Sequence, residues 1–149
     1  MQNIQGYQIR TDLLYDPAEG FWVDVQGETA RIGYNPVMQE TAGSFVAVNL
    51  KKLGTQIAKG ESFGSVEAEK HVGHLKAPVS GIITAVNADV LENPRLLNEE
   101  YYGKGWLVEI EMSDAANELA DLISSENDVI EWFAIEIKKY ENKGWLAQP

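Results

Sequence analysis

Residues 64–81 read GSVEAEKHVGHLKAPVSG, and they establish the architecture more clearly than any other part of the chain. A β-rich run precedes Lys70, turn-forming residues surround it, and a second β-rich run follows it. Gly73 and Gly81 stand where the chain must turn, since glycine adopts a positive φ at little cost. The pattern predicts a hairpin that holds one primary amine on a rigid and accessible tip.

Further β-rich runs separated by turn residues extend on both sides of this stretch, over about 21–112. With the hairpin they lie at 21–25, 29–33, 44–50, 62–69, 75–79, 82–87 and 106–112. Many short strands with turns between them are typical of a β-sandwich or barrel. Pro78 cannot donate a ladder hydrogen bond, so its strand is expected to lie at an edge or to begin there. The sequence therefore predicts a mainly β fold.

Helices are expected in one connection and at the C-terminal end. Residues 88–92 predict a short connecting helix that ends before Pro94. Ser113 and Asp114 resemble a helix start, and a longer helix is predicted to begin near Ser125 or Glu126. We therefore expect a single domain over 1–149. Its barrel core spans about 21–112 and its C-terminal helices span about 113–142.

The last helix carries one apolar stripe. Residues at steps of three, four and three share one helical face, and this stripe is expected to pack on the barrel. They are Ile130, Phe133, Ile137 and Tyr140. Trp132 and Ile135 lie off the stripe, so the alternative is that these two contact a partner or a second copy of the chain.

Composition excludes several classes of function. The chain has 149 residues, of which 23 are acidic and 12 basic, for a formal net charge of −11. Such a charge repels phosphate backbones, so no nucleic-acid partner is expected. The chain has no cysteine, which excludes disulfides, thiolate metal sites and cysteine nucleophiles. No secretory signal and no apolar run of membrane-spanning length is visible, so we expect a cytoplasmic protein without a membrane partner.

No catalytic or metal site is expected from the residues. His71 and His74 are the two histidines, and without a clear third ligand they make a poor zinc site. A nucleophile elbow and the glycine runs that cradle phosphates are both missing from the sequence. Two hypotheses then stay open from the residues alone. Lys70 could be the attachment point of a covalent carrier, or the chain could be an unmodified interaction module.

Five short motifs between Trp22 and Met112 resemble one known family. They are GSVE with a lysine three residues later at 64–70, PVSG at 78–81, VN at 86–87, NE at 98–99 and YGKGWL at 102–107. The family is the H protein of the glycine cleavage system, a lipoyl carrier, and the resemblance covers most of the chain. It implies a lipoyl-type barrel-sandwich hybrid with a short connecting helix and C-terminal helices.

The resemblance also implies a modification site. In the family, recognition by the lipoylating enzyme depends on a Glu three residues before the lysine and on glycines sixteen before and eleven after it. Those offsets from Lys70 fall on Glu67, Gly54 and Gly81. The resemblance therefore implies lipoate bound covalently to Lys70. It also implies a swinging-arm carrier without catalysis of its own, and a lipoate ligase or lipoyl transferase as the modifying partner.

The chain departs from the family where the cargo of the arm is held. The carboxylate of an early His-Glu-Trp motif is replaced by Phe21, and an Asp four residues after the lysine is replaced by His74. An ammonium group that leaves water needs an opposite charge, so these changes argue against an aminomethyl cargo. Phe21, His71 and His74 are the candidate arm-contacting residues.

At 49–54 and 71–74 the chain resembles more closely the H-protein-like lipoate-binding proteins that serve a heterodisulfide-reductase-like complex. The resemblance to that subgroup implies a carrier of sulfur-bound intermediates in cytoplasmic oxidation of thiosulfate or sulfane sulfur, with that complex as partner. The alternative is the H protein of glycine cleavage, which carries the aminomethyl group. Its partners are glycine decarboxylase, aminomethyltransferase and dihydrolipoyl dehydrogenase.

Overall fold

The computed structural model describes residues 1–146, and most of its regular structure is short β-strand. The strands are β1 (Gln2–Ile4), β2 (Tyr7–Ile9), β3 (Leu14–Tyr15), β4 (Phe21–Gln26), β5 (Thr29–Tyr34), β6 (Phe45–Leu50), β7 (Gln56–Ile57), β8 (Ser62–Ala68), β9 (Val72–Lys76), β10 (Gly81–Val86) and β11 (Val108–Met112). The helices are α1 (Pro36–Ala42), α2 (Ala88–Glu92), α3 (Leu96–Glu99), α4 (Ala115–Glu118) and α5 (Glu126–Asn142), with a 3₁₀ turn at Leu119–Asp121. The expected mainly β fold with a short connecting helix and C-terminal helices is confirmed.

The strands described in residues 1–146 form three antiparallel sheets. A six-stranded sheet has the order β3-β4-β5-β11-β10-β7, and a three-stranded sheet has the order β6-β8-β9. The N-terminal hairpin of β1 and β2 forms the third. Phe63, Val66 and Ala68 of β8 are buried and Glu67 is exposed, so buried and exposed side chains alternate from Val66 onward, after a register shift near Gly64. This alternation aims one face of the three-stranded sheet at the six-stranded sheet.

The barrel core lies between these two larger sheets. It includes Phe21 and Val23 from β4, Phe63 from β8 and Ile83 from β10, all of them almost fully buried. The Phe21 ring lies 5.8 Å from the Phe63 ring, centroid to centroid, so this pair joins the two sheets. Burial of such aromatic side chains is the main term that stabilises a core of this size.

A second apolar cluster, called the outer cluster below, forms on the opposite side of β4. Its members come from the N-terminal hairpin, β3 and the residue before it, the outer face of β4, α1, α5 and the C-terminal turn. They are Ile4, Ile9, Leu13, Tyr15, Trp22, Val37, Val129, Phe133, Ile137 and Leu146. The Phe133 ring meets the Tyr15 ring edge to face at 4.9 Å. The apolar face of α5 is therefore covered by the N-terminal hairpin and by the outer face of β4.

Several expectations for individual elements were wrong. The strand expected at 75–79 is β9, which starts at Val72 and ends at Lys76, because the tight turn before it lets pairing resume early. Pro78 lies in the bend that follows rather than in a strand. Strands β1, β2 and β3 were not predicted, since β1 and β2 are three residues long and β3 is two.

The predicted stripe on the last helix packs inward, whereas the alternative role for Trp132 is wrong. Phe133 and Ile137 are buried, Ile130 and Tyr140 are half-buried against the outer cluster, and Val129 is buried beside them. Trp132 packs in the outer cluster, with its ring 4.8 Å from that of Phe133, so the expected partner role does not fit it. Ile135 does remain exposed, at 60%. The domain boundaries expected from the sequence stay a prediction.

Candidate functional site: a lysine tip and its cleft

Lys70 is exposed at the tip of the turn between β8 and β9. The turn is closed by the Ala68 N–H, which donates to the His71 carbonyl at 2.7 Å. The Lys70 N–H donates to the Ala42 carbonyl at 2.9 Å, and the Glu69 N–H donates to the Ser44 carbonyl at 3.1 Å. These bonds fix the backbone of the tip and leave the amine of Lys70 free to reach solvent.

The segment that supports the tip is itself fixed by side chains. Glu69 Oε1 accepts a hydrogen bond from the Ser44 N–H at 2.8 Å, and this bond lowers the pKa of the Glu69 carboxyl. Asn98 Oδ1 accepts from the Phe45 N–H at 2.9 Å, and Asn98 Nδ2 donates to the Gly43 carbonyl at 2.8 Å. Asn98 therefore ties α3 to the loop beneath the lysine.

A cleft of about 590 Å³ opens beside Lys70. Its aromatic lining consists of Phe21, Tyr34, Tyr140 and Trp145. Its polar lining includes Glu19, Lys70, His71 and His74. The structure thus brings together Lys70 and all three candidate arm-contacting residues. Phe21 contributes little surface, because its side chain is only 1% exposed and belongs mainly to the barrel core.

Glu19 is a charged residue of the cleft that was not singled out from the sequence. Partial burial is the main cause that raises the pKa of its carboxyl; the nearby Asp16 charge raises it further, while Lys76 lowers it. Gly20 follows with φ of +79°, and a Cβ there would overlap the Met38 side chain. Gly20 therefore allows the close approach that brings this loop against α1.

This placement of Glu19 corrects one premise of the sequence analysis. Because Phe21 and His74 stand where the family has carboxylates, the sequence predicted a cleft without those acidic side chains. The cleft nevertheless contains a carboxylate from Glu19, two residues before Phe21. The sequence shows an acidic residue beside Gly20, but only the fold shows that it lines the same cleft as Lys70.

The three residues expected to guide lipoylation occupy two different places. Glu67 is exposed on β8 close to the tip, opposite Ala47 on β6 and Val72 on β9. Gly81 lies instead on β10 in the six-stranded sheet, and Gly54 lies in the turn before β7, where its N–H donates to the Ile83 carbonyl of β10 at 2.7 Å. Their role in recognition stays a prediction.

Gly54 and Gly81 are each required to be glycine for a different structural reason. Gly54 has φ of +87° with open space around it, so its backbone conformation favours glycine. At Gly81 a Cβ would overlap the carbonyl oxygen of Glu111 on the neighbouring strand. Close packing of β10 against β11 therefore requires a glycine at that position whatever its part in lipoylation.

Residues 1–146 show neither a cluster of metal ligands nor a membrane-spanning helix. No group of three or more His, Cys, Asp or Glu side chains is placed to hold a metal ion. No helix in this described part of the chain is both long and apolar enough to cross a bilayer.

Comparison with known proteins gives one consistent family. A family model described as "Glycine cleavage H-protein" matches residues 13–132. The chain is 47% identical over 109 residues to a glycine cleavage system H protein of Mycobacterium avium, covering 72% of this chain and 82% of that protein. It is 42% identical over 118 residues to the one of Bacillus subtilis, covering 79% and 91%.

A solved structure agrees with these sequence relatives. The crystal structure of a glycine cleavage system H protein from Mycobacterium marinum superposes with a TM-score of 0.65 at 34% identity, covering 70% of this chain and 87% of that one. The expected lipoyl-type barrel-sandwich fold is thereby confirmed. The named relatives support the alternative drawn from the sequence, glycine cleavage, and give no support to the expected sulfur-oxidation subtype.

Proposed function

Because the chain belongs to the glycine cleavage H-protein family, we propose that it is a lipoyl carrier whose lipoate is attached to Lys70. Glycine cleavage H proteins carry lipoate covalently on a lysine and have no catalytic activity of their own. The observation that carries the proposal is the exposed Lys70 on a hydrogen-bonded tip beside a cleft. The expected absence of catalytic residues agrees with this role.

The residues around Lys70 fit this group. An exposed amine can be acylated by a modifying enzyme, and the amide that results is uncharged. A cleft of about 590 Å³ with four aromatic side chains has the size and character of a small-molecule site. When bound, lipoate supplies a disulfide that exchanges with a dithiol. The chain itself holds the attachment point still and offers Glu67 as the recognition carboxylate for a lipoate ligase or lipoyl transferase.

For the pathway, the proposed role is glycine cleavage. The supporting observations are the names of the relatives and the Glu19 carboxylate in the cleft. A cationic amine cargo that leaves water needs an opposite charge, and Glu19 supplies one. The proposed partners are glycine decarboxylase, aminomethyltransferase and dihydrolipoyl dehydrogenase, which serve this family.

Sulfur transfer with a heterodisulfide-reductase-like complex is the second candidate. It is favoured by Phe21 and His74, which stand in place of the family's carboxylates and line the cleft. A neutral or anionic sulfur cargo would not need those carboxylates. A cytoplasmic location and a single domain over 1–149 complete the proposal.

The attachment site is tested by intact mass of protein expressed with a competent lipoylation system. We expect one lipoyl adduct on the wild type and none on Lys70→Arg, since arginine keeps the charge but cannot form the amide. Lys76→Arg is the matched control, because Lys76 is an exposed lysine on the adjoining strand β9 and should leave the adduct in place. An unmodified wild type under these conditions would refute the carrier role.

The pathway is tested with the lipoylated protein and purified partner enzymes. With glycine decarboxylase and aminomethyltransferase, we expect glycine-dependent release of carbon dioxide, and a loss of rate in Glu19→Gln with lipoylation unchanged. No release from the lipoylated wild type, together with turnover of thiosulfate by a heterodisulfide-reductase-like complex, would favour the second candidate.

A further inference from the structure

The C-terminal turn after α5 builds one wall of the cleft. Gly144, with φ of +74°, reverses the chain, and the Trp145 N–H donates to the Tyr140 carbonyl at 3.0 Å. The rings of Tyr140 and Trp145 then stack, with centroids 5.5 Å apart and planes 20° from parallel. Leu146 is buried in the outer cluster and anchors the end of the turn.

Trp145 has an unusual position for so large an apolar side chain. It remains 47% exposed and is not a member of either buried cluster. Its indole is positioned by the Tyr140 ring and by the Lys143 ammonium, which lies 4.5 Å from the ring centroid. These contacts hold the aromatic face in place while leaving it open to the cleft.

One contact of the cleft and the chemistry of aromatic rings together indicate what covers this face. Lys70 and Trp145 line the same cleft, so a group extending from the lysine can reach the indole. Tyr140 and Trp145 lie outside residues 13–132, the part that the family model matches. Sulfur atoms make favourable contacts with aromatic rings, and an apolar chain is stabilised by leaving water. A lipoyl arm on Lys70 can therefore reach the rings of Tyr140 and Trp145, and its sulfur atoms and apolar chain would make favourable contacts with them.

We propose that the stacked rings of Tyr140 and Trp145 form the docking face for the sulfur-bearing end of the arm on Lys70. The inference rests on the proposed lipoyl carrier role. In the docked state the C-terminal turn shelters the disulfide from solvent, and a partner enzyme must draw the arm away from the indole to use it. The C-terminal turn is then a positioning element for the arm.

The first test measures how fast a small water-soluble phosphine reduces the lipoyl disulfide. Each variant is first shown by intact mass to carry one adduct, so a failure of the proposed function is seen separately. Trp145→Ala should be reduced about two- to tenfold faster than wild type, the range expected from losing one sulfur–aromatic contact. Trp145→Phe should stay near the wild-type rate because it keeps an aromatic face. Ile135→Ala is the matched control, since Ile135 is exposed on α5 and does not line the cleft.

An unchanged rate in Trp145→Ala, or an equal increase in Ile135→Ala, would overturn the proposal. The second test keeps the native side chain and compares indole emission before and after lipoylation. A disulfide against Trp145 should quench emission in the wild type, and this loss should be absent in Trp145→Phe. Equal quenching in both proteins would show that the arm does not dock on Trp145. Emission that changes with protein concentration and not with lipoylation would show that a second copy of the chain covers this face.

Discussion

The barrel core and the outer cluster each contain a phenylalanine with no exposed surface, Phe63 on β8 and Phe133 on α5. Phe63 lies on β8, the strand that leads to Lys70, whereas Phe133 lies on α5, the helix that leads to Trp145. The lysine and the aromatic wall of one cleft are thus supported by two separate apolar clusters. The two sides of the site can therefore be perturbed one at a time.

The largest expected effects come from truncating these two rings. Phe63→Ala and Phe133→Ala should each lower the free energy of unfolding by about 3–5 kcal/mol, because each leaves a cavity in a packed cluster. Phe63→Ala should also reduce lipoylation of Lys70, since it loosens β8. Phe133→Ala should leave lipoylation intact but speed hydrogen exchange in the C-terminal turn.

The measurements are denaturant unfolding, intact mass and local hydrogen exchange on the same samples. Phe63→Leu and Phe133→Leu are the controls, and each should show a smaller loss because the cavity is smaller. Equal loss of lipoylation in Phe63→Ala and Phe133→Ala would show that the two clusters unfold as one unit and do not support the two sides of the cleft separately.

An intermediate effect is expected at Asn98, which links the barrel to the loop beneath the lysine. Asn98→Ala leaves the Phe45 N–H and the Gly43 carbonyl without these partners, which should cost about 1–3 kcal/mol. Denaturant unfolding measures this loss. Asn117→Ala is the matched control, because Asn117 is exposed and its change should stay within about 0.5 kcal/mol. Equal losses of stability in Asn98→Ala and Asn117→Ala would show that Asn98 does not stabilise the lysine tip.

The smallest expected effect is the pH dependence caused by Glu19. Its pKa is raised in the folded protein, chiefly by burial, so its contribution to stability is present below the ordinary glutamate pKa of about 4.3. That contribution is lost as the pH rises through the raised folded value. Glu19→Gln should therefore gain stability relative to wild type as the pH rises from about 3 to about 7.

Denaturant unfolding of both proteins across that pH range checks the sign. The gain should shrink in an Asp16→Asn background, because the Asp16 charge is the second cause of the raised pKa of Glu19. A relative stability that falls with pH would mean that Glu19 is stabilised in its ionised form, contrary to the partial burial that its position implies.

Much of the barrel could be predicted from the sequence because its signals are local. Alternating apolar residues with glycine and proline between them indicate strands, and β4, β8 and β10 lie within a residue of the expected bounds. The start of α5 was predictable for the same reason, since Ser125 caps it by accepting from the Asp128 N–H. The strands β1 and β3 were too short to leave a periodic pattern.

The site was only partly predictable. Lys70 and its exposed tip follow from a turn between two strands, and the family resemblance rests on offsets that can be counted along the chain. Glu19 and Trp145 were missed because no periodicity or spacing relates them to Lys70. The prediction of a sulfur cargo is not supported by the relatives, and it has a related weakness. It rested on the aligned positions of Phe21 and His74, and the sequence did not show that Glu19 lines the same cleft.

The sequence by itself determined the β-rich barrel, the lysine tip and the family, because strand patterning, turn residues and motif offsets act over a few neighbouring positions. The tertiary structure alone decided the composition of the cleft. Residues 19, 70 and 145 meet there because one lies before β4, one joins β8 to β9 and one follows α5, and burial of two apolar clusters brings these elements together. Contacts between residues so far apart along the chain depend on the whole fold, so they cannot be predicted from local sequence patterns.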